Sequence, residues 1–208
     1  SLLACGATIG EINTLRKHVS RLKGGSLARL AHPSQVASLI LSDVIDDPLD
    51  VIASGPTVPD PTTFSDAMAV IERYQIGDQI PNPVLDYLRD GCNGSHPETP
   101  KPADPIFEQV YTRIIGNNYQ AAKAGLDQAQ ALGLQTILLT AALEGEARFL
   151  GPVLAAIARQ IDQSGDPLPR PVCIIAGGES TVTIQGDGLG GRNQELALSA
   201  GEGLAGME

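Results

Sequence analysis

The chain has 208 residues, with 14 Lys and Arg against 24 Asp and Glu, a formal net charge of −10. Its hydrophobic content of 42% excludes a disordered chain, and its acidic balance excludes general binding to nucleic acid or anionic membrane, which need a basic surface. The length fits one or two domains, and no run of about 18 apolar residues reads as a membrane span.

Ser1 to Gly6 has no basic segment before its apolar residues, so no signal peptide is expected there. Thr8 with Glu11 has the form of a capping box. Ile9, Ile12, Leu15, Val19 and Leu22 then recur at helical spacing, with Gly24-Gly25 as the stop. This helix is expected to bury its aliphatic stripe and to show Arg16, Lys17 and Lys23 on other faces. Ser26 to Ala31 reads as a short second helix ended by Pro33. Val36 to Ile45 is an apolar run, read as a buried strand from about Ser38 with Ser42-Asp43 near its carboxyl end. Prolines and glycines from Asp46 to Thr63 exclude regular structure, and a long loop in a compact domain is usually functional or disordered. Thr63 and Asp66 cap a helix over 64–74, and 81–90 is another helix.

Gly91 to Pro105 is the candidate boundary, dividing the chain into 1–105 and 106–208. Beyond it the spacing predicts a strand over 111–115, a helix over 118–132 closed by Gly133, a strand over 135–140 and a helix over 146–161. Strands over 172–176 and 181–185 flank Gly177-Gly178-Glu179-Ser180, read as a hairpin turn. A last helix begins at Arg192. Alternating strands and helices point to an α/β sandwich.

Chemistry concentrates in a few places. Arg16, Lys17, Arg21, Lys23 and Arg29 crowd one stretch without an intervening acid, and Asp43, Asp46, Asp47, Asp50, Asp60 and Asp66 follow before the next base. A cationic segment followed by an anionic one suits a site for phosphates and a divalent metal; the alternative is a solvated helix face followed by polar loops. Asp43 sits at a strand end, where α/β sheets gather ligands. Glu144 and Glu146 read as acids of a loop at a helix start. Gly186-Asp187-Gly188-Leu189-Gly190-Gly191 is a G-x-G-x-x-G ahead of a helix. It suits an anion cradle with Arg192 as clamp, or else a structural turn. A dinucleotide fingerprint would need a βαβ unit and a later acid. Cys5, Cys92 and Cys173 are scattered, which argues against a disulfide framework or a zinc spacing and for a reducing, cytoplasmic setting.

Ser20-Arg21-Leu22-Lys23-Gly24-Gly25-Ser26-Leu27-Ala28, after Glu11 to His18, is followed by Leu41-Ser42-Asp43-Val44 and by Val51-Ile52-Ala53-Ser54-Gly55-Pro56-Thr57-Val58-Pro59-Asp60. Asn117-Asn118, Gly145-Glu146-Ala147-Arg148, Gly177-Gly178-Glu179-Ser180-Thr181 and Gly186 to Glu195 come next in order. Together these motifs resemble the glycerate 2-kinases, the family with the MOFRL carboxyl-terminal domain, over almost the whole chain. The resemblance implies transfer of the ATP γ-phosphoryl group to the 2-hydroxyl of D-glycerate, with Mg²⁺. It implies a Rossmann-like amino-terminal domain and a smaller MOFRL-type carboxyl-terminal domain, both α/β sandwiches and both truncated here, with the active site in the cleft between them. On this reading Arg16 and Lys23 hold phosphate or the glycerate carboxylate. Asp43 takes the hydroxyl proton or binds Mg²⁺. Ser54, Gly55 and Thr57 line the loop facing substrate, and Arg192 neutralises charge beside Gly188, Gly190 and Gly191.

Ser26 stands where the family more often carries Arg. Family members are longer at both ends, so the chain reads as an internal fragment expected to be inactive alone. The expected partners are glycerate and ATP, with no nucleic acid and no membrane; a homo-oligomer is left open. The rival readings are a non-catalytic module binding phosphate or a sugar acid, and an NAD(P)-dependent hydroxypyruvate reductase.

Overall fold

The computed structural model describes residues 5–207. The chain forms two compact units, one from the chain up to Leu41 together with Asp47–Ile115, the other from Ser42–Asp46 and the chain from Gly116 onward. The α/β reading holds. Among the described residues no helix is long and apolar enough to cross a membrane.

In the first unit, α1 (Ile9–His18) and α3 (Phe64–Arg73) each begin on a complete capping box, at Thr8/Glu11 and Thr63/Asp66. Their cores meet those of α4 (Asn82–Cys92) in one cluster: Leu15, Phe64, Ala67, Val70, Ile71, Ile76, Leu85 and Leu88. The short α2 (Ser26–Ala31) precedes β1 (Val36–Ser42), which is bonded to β2 (Val110–Asn117) in a two-stranded sheet.

Helix α1 departs from expectation in length and facing. It ends at His18, not near Leu22, and Val19 and Leu22 are exposed while Lys17 and His18 are buried. The reason is a second stripe at the same helical spacing. Asn13, Thr14, Lys17 and His18 face inward because each finds a polar partner there.

Glu11 also reaches beyond its own cap. Its carboxylate accepts from Arg73 at 2.6 Å and from the Tyr74 hydroxyl at 2.8 Å, tying α1 to α3. The Thr8 amide, then the Tyr74 and Thr8 hydroxyls and Arg73, hold its pKa down to about 2 against partial desolvation. A depressed carboxyl pKa stabilises the fold above the unfolded value and loses that contribution as pH falls through the folded one. Unfolding midpoints in urea should therefore fall between pH 4.5 and about 2, and Glu11→Gln should flatten that fall.

The second unit runs α5 (Asn118–Ala131), β3 (Gln135–Glu146), α6 (Ala147–Ser164), β4 (Val172–Thr181) and α7 (Arg192–Leu204). Helix α5 closes at left-handed Gly133, as expected, and starts on the Asn117 side chain, which accepts from the Gln120 amide. Strands β3 and β4 pair in parallel, from Gln135 opposite Val172 to Glu146 opposite Thr181, with α6 as the crossover.

This overturns two expectations. Gly177 to Ser180 is not a hairpin turn but the interior of β4, and 182–185 is not a strand. Glu144 and Glu146 lie in β3, not in a loop. Glycines here serve close approach, not reversal. A Cβ on Gly178 would lie 2.2 Å from both the amide nitrogen and the carbonyl oxygen of Leu143, just past an irregularity in the ladder.

Candidate functional site

In the first unit the Lys-Gly-Gly and Ser-Gly-Pro-Thr motifs form one object. Ala53, Ser54 and Gly55 are left-handed in succession, with φ of 52°, 62° and 58°. Two of these are not glycine, and such residues cost about 1–2 kcal/mol each in that region. The surroundings impose the conformation. Gly24 N–H donates to the Ser54 carbonyl at 2.9 Å and Gly25 N–H to the Gly55 carbonyl at 2.7 Å. The Lys23 ammonium donates to the Ala53 carbonyl at 2.9 Å. Gly24 and Gly25 are themselves left-handed, and a Cβ on Gly25 would lie 2.9 Å from the Val58 carbonyl oxygen. Backbone strain held this firmly is typical of functional loops.

The predicted residues are placed unevenly around this loop. Ser54 is buried, and its hydroxyl donates to Asn13 at 2.9 Å; Thr57 is buried and donates to Ser38 at 3.1 Å. Both hydroxyl protons are thus engaged within the protein. Arg16 is exposed, with one contact to Asn13 at 3.4 Å, and Lys23 keeps two ammonium protons for a ligand.

Beneath the loop lies a charge network that sequence reasoning missed. The Lys17 ammonium, 3% exposed, lies 3.3 Å from both Asp50 and Asp60. Asp60 is wholly buried and also accepts from the Thr62 amide and hydroxyl and from Thr99. Burial works to raise its pKa, but the Thr62 bonds, Lys17 and Thr99 outweigh it and hold the carboxyl below its usual range. His18 bridges the Thr14 carbonyl at 2.8 Å and Glu98 at 3.2 Å, and its ring meets Phe64 edge-on. The inward polar stripe of α1 was the available signal. A buried, fully paired cluster of this kind shapes the loop above it but offers no free group for chemistry.

In the second unit the glycine loop and α7 border a cavity of about 680 Å³. Gly188, Gly190 and Gly191 line it with Arg148, Thr183 and Gln194. Gly191 caps α7 without any side-chain bond to the first-turn amides, so these N–H groups remain available to an anion. Arg192 does not line the cavity; it pairs with Glu179 of β4 at 3.1 Å. Glu146 accepts from the Thr183 amide at 2.7 Å, from Thr181 and from Arg148. The Thr183 bond foremost, opposed by desolvation, holds Glu146 below the usual carboxylate range. Arg148 Nε is buried without a hydrogen bond.

Asp43 follows β1 and is exposed, within a segment where the Ser42 hydroxyl accepts from the Val44 amide. Among the described residues no three His, Cys, Asp or Glu side chains gather to hold a metal. A single free carboxylate nevertheless fits Mg²⁺, which keeps waters and is usually held by one or two carboxylates plus substrate phosphates. The βαβ unit β3–α6–β4 removes one objection to a dinucleotide site. However, 182–185 separate β4 from Gly186, whereas that fingerprint opens directly at a strand end.

A family described as a domain of unknown function, DUF4147, matches residues 1–89, and the MOFRL family matches 172–208. A glycerate 2-kinase of Pyrococcus horikoshii is 43% identical over the whole chain, which covers 46% of that relative. A protein of Agrobacterium vitis provisionally named hydroxypyruvate reductase is 45% identical, over 99% of this chain and 45% of its own. The crystal structure of a glycerate kinase from Thermotoga maritima superposes with a TM-score of 0.82 at 41% identity, over all of this chain and 47% of that one. The chain spans about half the length of the curated relatives it matches. It belongs to the glycerate 2-kinase family.

Proposed function

We propose that the protein to which these two units belong transfers the γ-phosphoryl group of ATP to the 2-hydroxyl of D-glycerate, giving 2-phosphoglycerate. The observation that carries this reading is 43% identity along the full chain to a glycerate 2-kinase. The geometry supports it, because phosphoryl transfer needs mainly positioning and charge neutralisation. The first-turn amides of α7 and the backbone of Gly188, Gly190 and Gly191 hold phosphate oxygens. Lys23, fixed on the strained 53–55 turn, and exposed Arg16 hold the glycerate carboxylate. Asp43 accepts the hydroxyl proton or holds Mg²⁺, which when bound neutralises charge on the transferring group. Arg192 exchanges Glu179 for that charge. We read 1–105 as part of the amino-terminal kinase domain and 106–208 as leading into the MOFRL domain. The wide spacing of Cys5, Cys92 and Cys173 along the chain supports a cytoplasmic setting.

In the full-length protein, Asp43→Asn is expected to lower kcat by at least about 100-fold, the lower end for loss of a general base. Arg192→Lys should also lower kcat, because lysine lacks the planar fork. Phosphorylation is followed by ³¹P NMR, which distinguishes 2- from 3-phosphoglycerate. A near-normal kcat for Asp43→Asn overturns its role. The relative named for hydroxypyruvate reduction gives a second reading. Oxidation of NADH by hydroxypyruvate, with no phosphate transfer, would favour it.

A further inference from the structure

A second cavity, of about 500 Å³, lies wholly in the first unit, beside the carboxyl end of α1, α2 and α4. None of Arg16, Lys23, Ser54, Gly55 or Thr57 lines it, and neither does any Asp or Glu. That is notable in a chain carrying ten net negative charges. Arg21, Arg29 and Ser26 are among the donors that line it, with Lys17 and His18. Arg29 gives one N–H to the Glu98 carbonyl at 2.7 Å, which anchors the guanidinium and leaves its other donors free. Neither arginine forms an ion pair with a described residue. Val84, Tyr87 and Phe64 supply much of its apolar lining. Tyr87 is held in place, stacked on His96 at 4.5 Å and edge-on to Phe64 at 5.8 Å.

We propose that this cavity is a binding site for a small aromatic anion. A planar ring packs on Tyr87 and Val84, and a phosphate or carboxylate head lies between Arg21 and Arg29. The volume is within the usual range for small-molecule sites, roughly 300–1,000 Å³, and a mostly apolar lining with a few polar donors is their usual make-up. Guanidinium groups grip such heads in pairs of parallel bonds. A neutral ring would leave both arginines unmatched, and a bare anion would leave the apolar lining wet.

The test is calorimetric titration of the full 208-residue chain, without ATP or glycerate, using phenyl phosphate, inorganic phosphate and benzyl alcohol. Phenyl phosphate is expected to bind at least about tenfold more tightly than either of the others. Arg21→Glu, at an exposed position, should weaken it by about tenfold or more, as loss of one charge-assisted hydrogen bond would. Val84→Trp, which fills the space, should abolish binding while far-UV circular dichroism is unchanged. If Val84→Trp misfolds, Arg21→Glu alone decides. Equal affinity for phosphate and phenyl phosphate, undiminished binding to Arg21→Glu, or no saturable binding would each overturn the site. Because no turnover is measured, these outcomes do not depend on kinase activity.

Discussion

Asp60→Asn is expected to destabilise the first unit by about 3–5 kcal/mol, the usual cost of removing one partner from a buried ion pair. Lys17 is 3% exposed and would keep only Asp50, whose side chain is 41% exposed. The Thr62 and Thr99 hydroxyls, which donate to Asp60, would lose a charged acceptor as well. Against a typical total of 5–15 kcal/mol this is a large fraction, so urea midpoints read by circular dichroism should drop sharply. Replacing both partners, Lys17→Met with Asp60→Leu, should recover part of the loss, since no buried charge is then stranded. The pH dependence follows from the depressed Asp60 carboxyl. Its contribution is present above the unfolded value, near 4, and is lost as pH falls through the folded one. Asp60→Asn should therefore flatten the acid limb of the stability curve. An unchanged midpoint would mean that the network does not support the loop above it.

Gly178→Ala is expected to cost at least about 3 kcal/mol, the upper end for overpacking. The added Cβ meets backbone atoms of Leu143 at 2.2 Å, and no rotamer change can relieve that contact. The two strands would have to separate where Leu143 pairs with Gly178. Native-state hydrogen exchange gives the readout. Amides of β3 and β4 should lose protection while those of α1 and α3 keep theirs, since Gly178 lies in the second unit. Protection retained across β3 and β4 would contradict the close approach.

The two glycine readings show where local pattern ends. Gly177-Gly178 looked like reversal because turn residues followed an apolar run. Whether glycine marks a turn or a close approach depends on what lies opposite, and Leu143 is 35 positions away in register. The same limit applied to Lys17. Its charge suggested a solvent face, yet its partners lie 33 and 43 positions along the chain. For Ser54 and Thr57 the motif was legible, but not that their hydroxyls turn inward to Asn13 and Ser38.

Features decided by residues within about four positions of one another were determined by the sequence alone. These are the capping boxes at Thr8 and Thr63, the stop at Gly133 and the start of α7 at Arg192; the order of motifs along the chain, which carries the family, was legible as well. Tertiary structure alone decided the burial of Lys17 and Asp60, the three successive left-handed residues at 53–55, the pairing of Arg192 with Glu179 and the parallel register of β3 with β4. The physical reason is desolvation. A charge or a strained backbone is tolerated in the interior where packing brings partners from elsewhere in the chain to it, and that matching is settled when the chain packs.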